Sequence, residues 1–257
     1  MANILAIHAH PDDVEFLAGG TMALLADRGH ALTIATFTPG DCGSKEMGPQ
    51  EIAAVRRGEA AKAAARIGAR YVCLEFSDLA IFNDDAARRR VTEALREARP
   101  ELVLTSSPVD YHCDHEAASR LVRDACFAAP APNYASGTAA PLAHIPHLYF
   151  MDPVEGRDPE GKVVEPDFVV DIGAAFVRKR DMLAEHASQR VWLQQHHGVD
   201  SYLDEMEKWT RARGALAGRE FGEGFRRYRG HAYPQSGLLE ELLGGVVCSG
   251  SSAENVG

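Results

Sequence analysis

Near the start of the chain, His10-Pro11-Asp12-Asp13 puts an imidazole and two carboxylates within one turn of backbone. The cluster follows the apolar run Ile4–Ile7, which reads as a short buried strand, and precedes the helical-looking stretch Val14–Arg28. Polar ligands gathered directly after a buried strand cost desolvation energy, which a metal ion would offset. Pro11 fixes its own φ and biases His10 toward an extended conformation, so the group is held stiffly. About a hundred residues on, the pattern recurs: Leu102–Ser106 reads as a strand and is followed by Asp110-Tyr111-His112-Cys113-Asp114-His115 and the helical Glu116–Phe127. Histidine, aspartate and histidine drawn from two strand ends supply three N/O ligands and leave a fourth position open for water. That is the arrangement of a catalytic zinc site rather than a structural one. A lone His-Pro-Asp-Asp would equally fit a turn that caps a helix with Asp12 or Asp13. The matching second cluster makes the metal site the better reading.

Alternating strands and helices must carry these clusters. Leu32–Thr38 reads as a second strand, Glu51–Arg66 as an alanine-rich helix closed by Gly68, Tyr71–Phe76 as a third strand and Asp84–Arg99 as a helix stopped before Pro100. His147–Met151 and Phe168–Ile172 add two strands, joined by the turn-rich loop Asp152–Pro166. The alternation predicts an α/β fold: a Rossmann-like, largely parallel sheet with helices on both faces, in a single domain. The domain is expected over residues 1–245, with 246–257 a flexible tail. In such sheets ligands bind at the carboxyl edge, where both clusters fall.

Ala9-His10-Pro11-Asp12-Asp13, followed by Gly19-Gly20-Thr21, together with His112-x-Asp114-His115, resembles the signature motifs of the LmbE/PIG-L family of zinc-dependent N-deacetylases. The resemblance is firm over roughly residues 1 to 130 and weaker beyond. Members of the family remove acetyl groups from molecules that contain N-acetylglucosamine. By position, the resemblance implies Zn2+ ligands at His10, Asp13 and His115, a general base at Asp12, and a histidine at His112 that steadies the oxyanion or protonates the leaving amine. Asp114 matches a carboxylate that orients an active-site imidazole. Cys113 stands where many members have proline, and a packed thiol is the expectation there.

Three further residues have a bland and a functional reading. Arg56 matches an arginine that the family points at substrate hydroxyls, and it would otherwise form an ion pair with Glu59 on a helix surface. Asp78 follows the third strand, where members hold sugar hydroxyls with a carboxylate, although a turn aspartate is the ordinary alternative. His231 lies in a C-terminal segment that resembles the part of oligomeric members reaching into an active site, sometimes a neighbour's. The expectation is that Phe221–Ser236 covers the pocket within a homo-oligomer. His196-His197 read as surface residues at a helix end.

The 257 residues are 46% apolar, enough for one substantial core. A net charge of −10 argues against nucleic acid or an anionic membrane as partner. Five cysteines without any C-x-x-C read as reduced thiols of a cytoplasmic protein, and neither a leader peptide nor an apolar run near 18 residues is expected. Gly19-Gly20 lack dinucleotide-site spacing and no Walker A loop is present, so no organic cofactor is expected. The resemblance thus implies a hydrolase acting on a small N-acetylated molecule. Some members instead add water across a double bond of an unsaturated acid, and a metal-dependent hydratase is the alternative; Arg56, His144 and Arg157 could serve its carboxylates. A non-catalytic metal binder has no need for the free carboxylate of Asp12.

Overall fold

The computed structural model describes residues 1–190 and 202–249. His196-His197 and residues 250–257 lie outside them. One eight-stranded sheet organises the chain, in the order β3-β2-β1-β4-β5-β7-β6-β8. Its strands are β1 (Asn3–His8), β2 (Ala31–Thr36), β3 (Arg70–Cys73), β4 (Leu102–Thr105), β5 (His147–Met151), β6 (Phe168–Asp171), β7 (Gly222–Arg227) and β8 (Val247–Ser249). The first five pair in parallel, whereas β7 runs antiparallel to both β5 and β6, and β8 runs antiparallel to β6.

Burial on both sides explains why β1 reads as an unbroken apolar run. Ile4 and Ala6 enter one core and Leu5 and Ile7 the other. The first core takes α1 (Asp13–Asp27), the end of α2 (Pro49–Ala65), α5 (Phe176–Ala184) and α7 (Leu238–Leu243); the second takes α3 (Asp85–Ala98) and α4 (Cys113–Ala128). α6 (Tyr202–Ala215) lies against β7. No helix among the described residues is long and apolar enough to cross a membrane.

The sheet is largely parallel, as the alternation predicts, and two features depart from the sequence reading. Gly222–Arg227 inserts as an antiparallel strand whose glycines and charges gave no β signal. The stretch expected to be a flexible tail starts too early, because Val247–Ser249 pairs with β6 and closes the sheet edge.

A buried ion pair ties α1 to this added strand. Lys179 Nζ lies 2.6 Å from Glu223 Oε1, and both side chains are almost fully buried. Glu223 also accepts the amides of Gly20 (2.9 Å) and Thr21 (2.7 Å), while Lys179 donates to the Phe16 carbonyl (2.6 Å). Gly20 is required by this close approach: a Cβ there would meet Ile172 at 2.5 Å. Removing one member of a buried pair leaves an uncompensated charge. Glu223→Ala is therefore expected to cost about 3–5 kcal/mol of stability, read from urea unfolding. A loss below about 1 kcal/mol would show that the pair contributes little to holding α1.

Candidate metal centre

The turn between β1 and α1 gives different partners to two adjacent carboxylates that line one cavity. Asp12 adopts φ 101°, ψ −27°, a left-handed conformation that is uncommon outside glycine and asparagine. Asp13 faces imidazoles: its Oδ2 lies 2.7 Å from His8 Nδ1, accepts the His10 amide at 2.7 Å, and lies 3.4 Å from His10 Nδ1. Its Oδ1 lies 3.5 Å from His115 Nε2. Asp12 faces a cavity of about 470 Å³, accepts a 2.5 Å hydrogen bond from the Tyr202 hydroxyl, and stands 3.8 Å from Arg56 Nη2.

The end of β4 supplies the opposing wall, because β4 pairs directly with β1 and sets Ile7 beside Thr105. Asp110 Oδ1 holds His115 Nδ1 at 3.0 Å, and Asp114 Oδ2 holds His10 Nε2 at 3.2 Å. The other ring nitrogen of each histidine is thereby turned toward Asp13. His112 stacks on His115 with ring centroids 4.9 Å apart, and its Nδ1 accepts the amide of Asp114 at 3.2 Å. The Asp114 carboxylate thus orients His10 rather than His112.

Charge follows this geometry. Burial pushes Asp13 up, but His8, His115 and His10 outweigh it and hold the carboxyl well below the ordinary range. Burial raises Asp12, with Arg56 only partly opposing. Burial alone would lower His10, yet hydrogen bonds to Asp114 and Asp13 carry it up to about 10. Such an anion-rich cluster calls for a cation, whether protons or a metal.

Among the described residues, three sets bring ligand atoms within 4.8 Å of one another: His8-Asp13-His115, His10-His112-Asp114 and Asp41-Cys42-Asp78. The first is a possible metal site of nitrogen and oxygen donors, and His8 Nε2 there is buried without a hydrogen-bond partner. His8 escaped the sequence reading. Its signal was a single imidazole closing an otherwise apolar strand.

The other expected residues divide between cavity and surface. Arg56 is buried and lines the cavity, donating from Nη2 to the Pro11 carbonyl at 2.9 Å. Glu59, its expected surface partner, instead accepts from Ser188. Gly40, at φ +78°, makes room for the guanidinium, since a Cβ there would lie 2.4 Å from Arg56 Nη1. Asp78 also lines the cavity, 4.0 Å from His10 Nε2, but both its oxygens are engaged, by Thr38 Oγ1 (2.5 Å) and the Cys42 amide (2.8 Å). Cys113 is exposed rather than packed and belongs to none of the three sets.

His231 is a correction. It is exposed and does not line the cavity. Because β7 runs antiparallel to β5, the chain that follows it emerges at the amino edge, where Tyr233 donates to the Arg123 carbonyl. Within one chain, therefore, Phe221–Ser236 does not cover the pocket. Tyr202, Gln189 and Val154 wall it instead. Tyr202 carried no motif, and only the return of α6 across the sheet brings it to Asp12.

Comparisons with known proteins place the chain among relatives. The PIG-L family model, described as GlcNAc-PI de-N-acetylase, matches residues 5–126. 4-Oxalmesaconate hydratase of Pseudomonas putida is 30% identical over 183 residues, covering 68% of this chain and 69% of that protein. Diacetylchitobiose deacetylase of Thermococcus kodakarensis is 26% identical over 239 residues, covering 87% and 82%. The crystal structure of 4-carboxy-2-hydroxymuconate hydratase from Pseudomonas putida KT2440 shares the fold, with a TM-score of 0.76 at 23% identity over 92% of this chain and 100% of that one.

Asp12 combines a strained backbone, burial and a neighbouring carboxylate. Asp12→Asn keeps the shape and the Tyr202 hydrogen bond, tolerates the left-handed backbone and removes the charge. The metal-free variant is expected to be more stable than the parent by about 1 kcal/mol in urea unfolding. A less stable variant would mean that the Asp12 charge supports the fold.

Proposed function

Because the chain belongs to the PIG-L (LmbE) family, we propose that it is a zinc-dependent hydrolase that removes the acetyl group from an N-acetylated amino sugar of the N-acetylglucosamine type. The observation that carries this reading is the division of partners between two carboxylates of one cavity: Asp13 is held by imidazoles, and Asp12 by Tyr202 and Arg56. Asp13 meets His10 Nδ1 (3.4 Å) through Oδ2 and His115 Nε2 (3.5 Å) through Oδ1. The 2.7 Å gap to His8 is a hydrogen-bond length and suits a residue that orients Asp13. By the family motif, His10, Asp13 and His115 would hold the ion, with Asp114 and Asp110 fixing the two rings, although the set whose ligand atoms already lie within 4.8 Å of one another has His8 in place of His10. When bound, the ion would supply Lewis acidity that activates a water and polarises the acyl carbonyl.

This chain's own groups would do the rest. Asp12 accepts the proton of the attacking water, its carboxylate kept in place by Tyr202 and Arg56. His112 Nδ1 accepts a hydrogen bond from the Asp114 amide, so in the neutral imidazole Nε2 carries the ring hydrogen and can donate to the developing oxyanion. The proton gained by Asp12 then passes to the departing amine nitrogen, leaving acetate and a free amine. Arg56 and Asp78 stand where sugar hydroxyls would meet the wall. Five free thiols are compatible with a reducing, cytoplasmic setting. On this reading the molecule works as a homo-oligomer, in which His231 could reach only another copy's cavity.

The hydratase reading draws on the 30% identity to 4-oxalmesaconate hydratase. Of the cations available for its carboxylates, Arg56 lines the cavity, whereas His144 and Arg157 are exposed and do not. Amine release from N-acetylglucosamine and N,N'-diacetylchitobiose, with and without added zinc, separates the readings. Hydration of an unsaturated tricarboxylate without any amine release would favour the hydratase.

Metal analysis of variants tests the ligand set. One divalent ion per chain is expected for the parent, lost from His10→Ala, Asp13→Asn and His115→Ala and largely kept by His8→Ala. Full occupancy in His115→Ala would overturn the assignment. Asp12→Asn is expected to keep its ion while amine release falls by roughly 10²- to 10⁴-fold. Undiminished turnover in that variant would remove Asp12 as the base.

A further inference from the structure

Asp12 takes one of its partners from a distant helix, and the far end of that helix is fixed by a buried ion pair. Tyr202 opens α6 and donates to Asp12 at 2.5 Å, and Arg213 lies on the same face of the helix about three turns later. There Arg213 Nε stands 2.6 Å from Asp152 Oδ2, with both side chains almost fully buried. Arg213 Nη2 donates to the Val164 carbonyl at 3.2 Å, and the guanidinium lies 4.2 Å from the centroid of the Trp209 ring. Two glycines make room for the pair: a Cβ on Gly156 would run into Arg213 Nη2, and one on Gly224 would run into Asp152 Oδ2. The next residue, Gly214, brings the backbone of α6 against that of Phe221, just before β7.

Asp152 in turn belongs to the frame of the metal centre. It directly follows β5, and two residues later the Val154 amide donates to Asp110 Oδ2 at 3.2 Å, while Asp110 Oδ1 holds His115. We infer that Arg213 is a positioning residue: by docking α6 on Asp152 it holds Tyr202 against Asp12 and keeps that carboxylate aimed relative to His10, Asp13 and His115. Burial lifts the Asp152 carboxyl to about 6, although Arg213 and Arg226 oppose it. A pair with that desolvation cost is a poor device for stability alone, and the geometry it fixes accounts for it better. The role of Asp12 as base rests on the deacetylase reading, whereas the docking of Tyr202 does not.

Fluorine NMR of the full-length protein labelled with 3-fluorotyrosine reads the docking without turnover. The Tyr202 signal, one of seven, is identified by its loss in Tyr202→Phe. It is expected to shift when Asp12→Asn removes the neighbouring charge, and Arg213→Met is expected to cut that response at least twofold. Asp152 keeps Arg226 as a counter-charge in that variant. Arg213→Lys retains the charge but cannot span Asp152 and the Val164 carbonyl together, so an intermediate response is expected, and this variant decides the matter if Arg213→Met does not fold. No response in the parent, or an undiminished one in the variants, would overturn the inference. Amine release from N,N'-diacetylchitobiose gives a second readout. In Arg213→Met, kcat is expected to fall about tenfold with KM within about twofold of the parent. Tyr202→Phe is expected to lower kcat at least threefold in the parent and less than twofold on top of Arg213→Met. Additive losses would mark a general loosening of the fold and overturn the inference. No amine release by the parent sinks the deacetylase reading and leaves the fluorine response to decide the inference.

Discussion

The carboxyl edge of the sheet depends on keeping one carboxylate, that of Asp13, ionised among imidazoles with little water to solvate it. His8 and the His10 amide contact it at 2.7 Å, and the rings of His10 and His115 stand at 3.4 and 3.5 Å. These contacts hold only because β1 and β4 are neighbours, so that two clusters about a hundred residues apart meet across one strand spacing. Asp110 and Asp114 then pin the outer ring nitrogens, which fixes the direction of the inner ones. The result is a surplus of negative charge at the centre. In the metal-free molecule it is met by protons, which is why His10 rises to about 10. A divalent ion would displace those protons, so metal binding and the protonation of the cluster are linked.

Adjacent aspartates with the same chemistry acquire different tasks through one dihedral angle. The left-handed backbone at Asp12 swings its side chain away from the imidazoles and into the cavity, where burial raises it while Asp13 is held low. A right-handed helical start at that position would carry the carboxylate elsewhere and lose the separation between the partners of Asp12 and those of Asp13. The fold supports this strained turn from behind. Glu223 and Lys179 grip α1 from one to about two and a half turns further along, through the carbonyl of Phe16 and the amides of Gly20 and Thr21.

Sequence alone reveals the parts of the structure set by local pattern. β1, β2, β4 and the helices after them follow from apolar runs and helix formers, and the paired His/Asp clusters mark the carboxyl edge. Three things depend on tertiary geometry that no local pattern records. β7 is built from glycines, arginines and a buried glutamate, and it becomes a strand only because β5 and β6 leave a slot between them. Its reversed direction is what takes His231 to the far edge. Tyr202 reaches Asp12 across 190 positions of sequence. His8 was legible in principle, since an imidazole ending a strand buried on both faces must find a polar partner.

Hydrolysis of an amide and hydration of a double bond both begin with water losing a proton to a base, so Asp12 and the cluster beside it do not discriminate between them. The walls do. An unsaturated di- or tricarboxylate needs fixed cations beyond the metal. Among the described lining residues Arg56 is the one lysine or arginine, and its Nη2 is already engaged by the Pro11 carbonyl with Asp12 close by. Beside the imidazoles of His10, His112 and His115 the floor holds the carboxylates of Asp12, Asp13 and Asp78, which would repel such a substrate and suit hydroxyl and acetamido hydrogens. A neutral acetamide also needs a donor where its carbonyl oxygen gains charge, and the Nε2 hydrogen of His112 is fixed for that purpose by the amide of Asp114. The charge of the walls thus bears on the choice the proposed function makes between a neutral amide and an anionic alkene, since both reactions would use the same base and metal cluster.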